Sequence, residues 1–263
     1  MDDPPLASLS LTHVHYDAND PISYACAYLA LVPQGLMIVY IALIWSTREI
    51  EILLMFAGQM GCEALNFLMK RWIKEERPTR TFAEYAICQG RQECRLMYIC
   101  GIELHGKGYG MPSSHAQFVA YFSTFLTLFL LFRHEPYKYA HASSTHMPMP
   151  YWQRLLLAIA SILCAAAVAQ SRIYLHYHTP RQVHIGVGAG VACAFAWFIC
   201  TSMARRFGIV DWFLDQPLAR WLRLRDLIVN EDLVDAGWER WEMRRRKRNN
   251  GQRANGHLEK KTL

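Results

Sequence analysis

Five long stretches almost free of charge run through this chain, at residues 22–45, 50–68, 116–132, 155–169 and 183–203. A helix needs roughly 20 apolar residues to cross the hydrocarbon of a bilayer, and in lipid every backbone polar group must be paired within its own segment. These runs therefore predict an all-α, multi-pass bundle of about five transmembrane helices. The fourth run is short by that measure, and Gln170 with its polar neighbours is expected to complete it. The second carries Glu51 near its start and Glu63 inside it; an ionisable group at that depth is expected to face the bundle interior or water. Average composition decides nothing here, because 52% hydrophobic residues would also suit a soluble domain. The segregation of charge between the runs is what excludes one.

The same pattern divides the chain. Residues 1–21 form a polar segment with Asp2, Asp3, Asp17 and Asp20 and no Lys or Arg, so the basic start of a cleavable signal peptide is missing. Residues 22–205 form the membrane-embedded domain. In 206–242, Trp212, Phe213, Leu214, Trp221, Leu222 and Leu224 alternate with Arg220, Arg223 and Arg225, which suits an amphipathic segment in the membrane interface. Residues 243–263 read as a basic, disordered tail. From Arg205 to Lys261 lie 14 of the 28 Lys and Arg. The positive-inside tendency places that tail in the cytoplasm and the loops 70–115 and 170–182 on the luminal or outer side, although the first of those loops is itself basic. The ending Lys260-Lys261-Thr262-Leu263 is either a charged chain end or a dilysine-type endoplasmic-reticulum retrieval signal; the second suits a cytoplasmic tail.

Eight cysteines are scattered. Cys26, Cys62, Cys164, Cys193 and Cys200 lie in or beside the apolar runs and read as small hydrophobes. Cys88, Cys94 and Cys100 share one loop, where a disulfide would require an oxidising lumen; their spacing matches no common zinc pattern.

Three polar clusters fall on one side of the membrane. In Lys70-Arg71-Trp72-Ile73-Lys74-Glu75-Glu76-Arg77-Pro78, a helix continuing to Pro78 would stack Lys70, Lys74 and Arg77 on one face, with Glu75 and Glu76 pointing elsewhere. Aligned cations suit a phosphate group; a juxtamembrane basic stop is the plain alternative. In Gly108-Tyr109-Gly110-Met111-Pro112-Ser113-Ser114-His115-Ala116-Gln117, the pair Ser114 and Gln117 has the capping-box pattern, and the helix start behind it is a phosphate seat. An ordinary capped helix would explain the serines but not His115. In Ser171-Arg172-Ile173-Tyr174-Leu175-His176-Tyr177-His178-Thr179-Pro180-Arg181-Gln182, Thr179, Pro180 and Gln182 fit N-cap, N1 and N3, so His178 stands just outside a second helix start. The dipole there disfavours imidazolium and suits a neutral, nucleophilic ring. His176 and His178 also look like a metal pair, but no third ligand accompanies them. Phosphoryl transfer needs oxyanion neutralisation, a nucleophile and an acid, and the three clusters supply them together.

Lys70 to Arg77-Pro78 fits K-x6-R-P, Pro112-Ser113-Ser114-His115 resembles P-S-G-H, and Ser171-Arg172 to His178 fits S-R-x5-H. In that order the chain resembles the type 2 phosphatidic acid phosphatase superfamily over roughly residues 20–205, and the finer wording resembles its dolichyldiphosphatase branch. The resemblance implies a helical membrane bundle. It also implies a metal-independent hydrolysis of dolichyl (polyprenyl) diphosphate to the monophosphate, with no cofactor and no nucleic-acid partner. By position, His178 would attack phosphorus and become a phosphohistidine, and His115 would protonate the leaving oxygen. Lys70, Arg77, Ser113, Ser114 and Arg172 would hold the phosphoryl oxygens. It further implies an endoplasmic-reticulum protein that returns the lipid carrier to protein N-glycosylation. Two residues depart from the pattern. Ser114 replaces a Gly, and Gln182 stands where many members have the Asp that orients the nucleophile, so Gln182 either orients His178 or mainly caps its helix. Five spans also stand against the usual six. The other readings are a lipid phosphatase acting on phosphatidic acid, a sphingoid phosphate or a sugar phosphate, and a catalytically silent lipid-binding protein.

Overall fold

The computed structural model describes residues 7–9, 14–16, 20–76, 109–134, 149–230 and 241–248. A short antiparallel hairpin, β1 (Ala7–Leu9) with β2 (Val14–Tyr16), precedes the helices. Then come α1 (Pro21–Leu29), α2 (Val32–Thr47), α3 (Ile50–Ile73), α4 (Ser114–Leu128), α5 (Tyr151–Tyr174), α6 (Pro180–Arg206), α7 (Ile209–Leu214) and α8 (Pro217–Leu222). Among the described residues, five helical units are long and apolar enough to cross a membrane: Pro21–Thr47, Ile50–Ile73, Ser114–Arg133, Tyr151–Tyr174 and Pro180–Arg206. They correspond one for one to the five predicted runs, and the protein is a multi-pass membrane protein. The short fourth run does extend through Gln170, to Tyr174.

The first span is not one helix. Asp20 caps α1 by accepting from the N–H groups of Ile22 (2.9 Å) and Ser23 (3.1 Å). The chain turns at Ala30 and Leu31, and Pro33 sits in the first turn of α2, where its missing N–H costs nothing. Tyr174, at the end of α5, donates its hydroxyl to Asp20 (2.7 Å) and holds that carboxyl below its ordinary range. The start of α1 is thereby tied to the end of α5.

α4 is the centre of the bundle: 61% of its apolar window is buried, against 17–28% for the other four spans. It packs most extensively on α6, then on α5 and α3. Tyr121 and Phe125 of α4, both fully buried, meet Tyr40, Ile52, Met55, Cys62 and Ala194 in the largest apolar cluster. Close approach of α4 to α6 depends on two glycines one turn apart. A Cβ on Gly186 would stand 2.7 Å from the carbonyl oxygen of Ser113, and one on Gly190 would stand 2.4 Å from that of Gln117. Small residues at this spacing let membrane helices touch backbone to backbone. The outward faces of α2, α3 and α5 carry exposed Ile38, Phe67, Leu68, Ile162 and Leu163, as a surface solvated by hydrocarbon requires.

At the end of the bundle where α3 begins and α6 finishes, charges are buried in pairs. A π-helical turn, Phe129–Arg133, closes α4 and brings Arg133 onto Glu51. Glu51 also accepts from Arg205 (2.6 Å), and Arg205 in turn pairs with Asp226. The segment after α8 folds back over the α2–α3 turn: Glu49 accepts from the N–H groups of Leu227 (2.8 Å) and Ile228 (3.2 Å), with Arg225 Nε 2.7 Å away. Trp212, Leu218 and Trp221 of α7 and α8 stay exposed. Residues 241–248 are helical and carry an Arg246–Glu242 pair at i, i+4. The expected disorder from residue 243 therefore does not hold over 243–248; the remainder of the tail, with Lys260 and Lys261, lies outside the described residues.

Candidate active site

The opposite end of the bundle gathers the starts of α4 and α6 and the ends of α3 and α5. Three backbone links hold them together. Gly110 N–H donates to Glu75 O (2.7 Å), Ser113 N–H donates to Gln182 O (3.2 Å), and the N–H groups of Tyr177 (3.1 Å) and His178 (3.3 Å) both donate to Arg172 O.

The third cluster folds as its sequence predicts. Thr179 is the N-cap of α6, Pro180 opens the first turn, and the capping box is complete: Thr179 Oγ1 accepts from Gln182 N–H (3.3 Å), while Gln182 Oε1 accepts from Thr179 N–H (3.3 Å). The two roles open for Gln182 turn out to be one arrangement, because the same Oε1 lies 3.2 Å from His178 Nδ1. A carbonyl oxygen only accepts, so Nδ1 carries the proton and Nε2 keeps its lone pair. His178 is buried (6% exposed), whereas His176, two residues earlier, is exposed with a left-handed backbone (φ 54°).

The second cluster differs from expectation. The N-cap of α4 is Ser113, not Ser114, and it makes no side-chain cap bond. Gln117 does not close a capping box either. It turns inward, donating to Cys62 O (2.9 Å) and accepting from Asn66 Nδ2 (2.7 Å). Burial decides this, since Gln117 and Asn66 are both inside the bundle and each needs a partner there. The Ser113 hydroxyl is left fully buried and without a hydrogen-bond partner among the described residues. A buried, unsatisfied hydroxyl at a helix start is where an anion would be received.

His115, in the first turn of α4, points its Nε2 at Ala30 O (3.2 Å) in the break of the first span. That carbonyl can only accept, so Nε2 is the protonated nitrogen and Nδ1 is the one left for a substrate. His115 lies within electrostatic reach of Arg172, His178 and Lys70. Arg172 is buried (3% exposed), with its guanidinium 5.1 Å from the centre of the Tyr177 ring.

The first cluster also departs from its reading. α3 ends at Ile73, and Lys74 adopts a left-handed conformation (φ 51°) as its C-cap, so the helical period that would stack Lys74 on Lys70 stops there. The turn brings the Glu75 carboxylate and the Glu76 main-chain carbonyl to Gln182 instead: Gln182 Nε2 donates to Glu75 Oε1 (3.0 Å) and to Glu76 O (3.0 Å). The helical period, carried past the real end of α3, pointed the Glu75 side chain away from the site, whereas it reaches Gln182. Arg77 and the loop cysteines Cys88, Cys94 and Cys100 lie outside the described residues. The structure thus unites His178, His115, Ser113, Ser114, Arg172, Lys70 and Gln182 at one end of the bundle. Their chemistry is two oriented imidazoles among cations and helix starts, suited to an anionic group entering from the membrane surface.

The PAP2 superfamily model matches residues 50–206, which span every one of these side chains and leave α1 and α2 outside. A Neurospora crassa protein carrying a provisional dolichyldiphosphatase name is 45% identical, over 92% of this chain and 93% of its own length. Dolichyldiphosphatase 1 of Dictyostelium discoideum is 31% identical over 88% of this chain and 87% of its own. The dolichyldiphosphatase of Saccharomyces cerevisiae is 27% identical over 87% of each. A PAP2-type phosphatidylglycerolphosphate phosphatase from Bacillus subtilis superposes with a TM-score of 0.47 at 20% identity, over 71% of this chain and 76% of that one. With a family model across more than half its residues and relatives along nearly its whole length, this chain belongs to the PAP2 superfamily.

Proposed function

We propose that this protein hydrolyses dolichyl (polyprenyl) diphosphate to the lipid monophosphate and phosphate, through a phosphohistidine on His178. The observation that carries the chemistry is the bond from His178 Nδ1 to Gln182 Oε1, which puts the ring proton on Nδ1 and the nucleophilic lone pair on Nε2, beside the starts of two helices. The names of relatives aligned along nearly the whole chain support the substrate.

In this reading the terminal phosphoryl group sits at the start of α4. Ser113, Ser114, Lys70 and Arg172 hold its oxygens, with Arg77 expected to join them from the family motif. His178 Nε2 forms a bond to the terminal phosphorus as the bridging P–O bond breaks. His115, fixed through Nε2–H to Ala30 and carrying a second proton on Nδ1 once the anionic diphosphate is bound, gives that Nδ1 proton to the departing lipid phosphate. Water then attacks the phosphohistidine, His115 takes its proton, and phosphate leaves with His178 restored. The isoprenoid chain remains in the bilayer beside the bundle, so only the headgroup need enter.

The basic tail argues for a cytoplasmic C-terminus and hence a luminal site in the endoplasmic reticulum. Exposed Trp212, Leu218 and Trp221 suit α7 and α8 as an anchor in the cytoplasmic interface. A luminal site would meet dolichyl diphosphate where protein glycosylation releases it.

The test is phosphate release by detergent-purified protein in EDTA, from polyprenyl diphosphate and from phosphatidic acid side by side, with a His178→Ala control. Release from the diphosphate, lost in the variant, is the expected result. Preference for phosphatidic acid would move the substrate assignment, and binding without turnover would leave a silent lipid-binding protein.

A further inference from the structure

An aspartate beside a nucleophilic histidine orients the ring and offsets the positive charge it acquires. Gln182 does the first and, being neutral, cannot do the second alone. Its surroundings contain the missing charge. Which end of the amide is which is fixed by three contacts besides His178. Oε1 faces the N–H of Thr179 (3.3 Å), while Nε2 faces two acceptors, Glu75 Oε1 (3.0 Å) and Glu76 O (3.0 Å). Reversed, the amide would set donor against donor and acceptor against acceptor. A continuous chain therefore runs from His178 Nδ1–H to Gln182 Oε1, and from Gln182 Nε2–H to the Glu75 carboxylate. Gln182 and Glu75 are 107 residues apart in sequence, and the backbone of Glu75 is itself tethered through its carbonyl to Gly110 N–H (2.7 Å).

We propose that Glu75 is a positioning residue for phosphoryl transfer: through the Gln182 amide it supplies the negative charge that balances His178 when Nε2 bonds phosphorus. This rests on His178 being the nucleophile. During attack the Nε2 lone pair becomes the N–P bond, the bridging P–O electrons leave with the lipid phosphate, and Nδ1 keeps its proton, so the ring becomes cationic. A carboxylate accepting from the far side of an amide polarises it and makes its oxygen a stronger acceptor, since hydrogen bonds in series strengthen one another. Among the described residues, the other charged or titratable groups toward this end include Lys70, His115 and Arg172, with Glu63, Arg71, Lys74 and Glu76 on or after α3, His176 and Tyr177 before α6, and Arg181 and His184 on it. None of these supplies a carboxylate to the amide, because Glu76 reaches it through its main-chain carbonyl.

The test uses the full chain in detergent and a polyprenyl diphosphate labelled in its terminal phosphate. It follows formation of labelled phosphoenzyme by rapid quench across pH. Glu75→Gln keeps an acceptor for the amide while removing the charge. It is expected to slow phosphoenzyme formation by about ten- to a hundredfold with melting temperature and KM unchanged. The acidic limb of the profile should move to lower pH, because the imidazolium has lost part of its stabilisation. Gln182→Glu placed in the Glu75→Gln background returns a carboxylate directly to Nδ1 and is expected to recover most of the rate. An unchanged rate in Glu75→Gln would overturn the proposal. So would a loss with an unmoved limb and no recovery in the double variant, which would make Glu75 a structural prop. Phosphoenzyme formation by His178→Ala would instead remove the nucleophile assignment on which the proposal rests.

Discussion

The two ends of this bundle treat buried polar groups in opposite ways. Where α3 begins, Glu51, Glu49 and Asp226 each meet an arginine. Arg133 adds bonds to Phe198 O (3.0 Å), Thr201 Oγ1 (2.9 Å) and Ser202 Oγ (2.7 Å) while stacking on Phe198. Removing one member would strand a charge, so that end is a clasp. Where α3 ends, cations and imidazoles gather around the start of α4, and the Ser113 hydroxyl is buried with nothing to bond among the described residues. Paired charges stabilise a fold, while an unsatisfied donor in a cationic pocket stores affinity for an anion. At the site end the Glu75 carboxylate is engaged by Gln182.

That contrast separates stability from turnover, and substitutions can break it. His178→Ala should reduce phosphate release by at least about 10³-fold with the melting temperature in detergent unchanged, since the loss is confined to the nucleophile. Glu51→Ala should do the reverse. Two arginines would lose their shared partner at a cost of roughly 3–5 kcal/mol, seen as a large fall in thermal stability with specific activity kept in the folded fraction. Gly186→Ala lies between the two classes. Its Cβ would press on the carbonyl of Ser113, so stability should fall by about 1–3 kcal/mol. Turnover should fall by up to about a hundredfold as the start of α4 shifts. Ser113→Ala should be the mildest, lowering kcat by about ten- to a hundredfold and leaving melting temperature unchanged or raised, because no partner among the described residues is lost. A marked loss of stability in Ser113→Ala, or a loss of specific activity in folded Glu51→Ala, would dissolve the distinction between the ends.

Much of this was legible in the residues, for definable reasons. Apolar length announced all five spans, and the Thr179-Pro180-x-Gln182 cap was readable because its partners are three residues apart. Relations between distant segments were not. The Glu51–Arg133–Arg205–Asp226 clasp joins three helices and a loop, and no period links those positions. The early stop of α3 at Lys74 depends on a left-handed cap at a residue that seldom adopts one, so extending the helix to Pro78 sent Glu75 the wrong way. Ser114 matched a capping box, but burial of Gln117 against Asn66 and Cys62 overrode that local preference. The break in the first span did carry a signal, Pro33 in mid-run; its consequence, an oriented His115, needed the fold.

The central claim is that His178, held by Gln182, becomes covalently phosphorylated by a lipid diphosphate. The most direct measurement is to quench the purified protein during turnover of terminally labelled polyprenyl diphosphate in EDTA and to map the labelled residue. An acid-labile, base-stable label on the peptide bearing His178, absent from His178→Ala, is the result this account predicts. Steady release of phosphate with no label on His178, or undiminished release by His178→Ala, would contradict it.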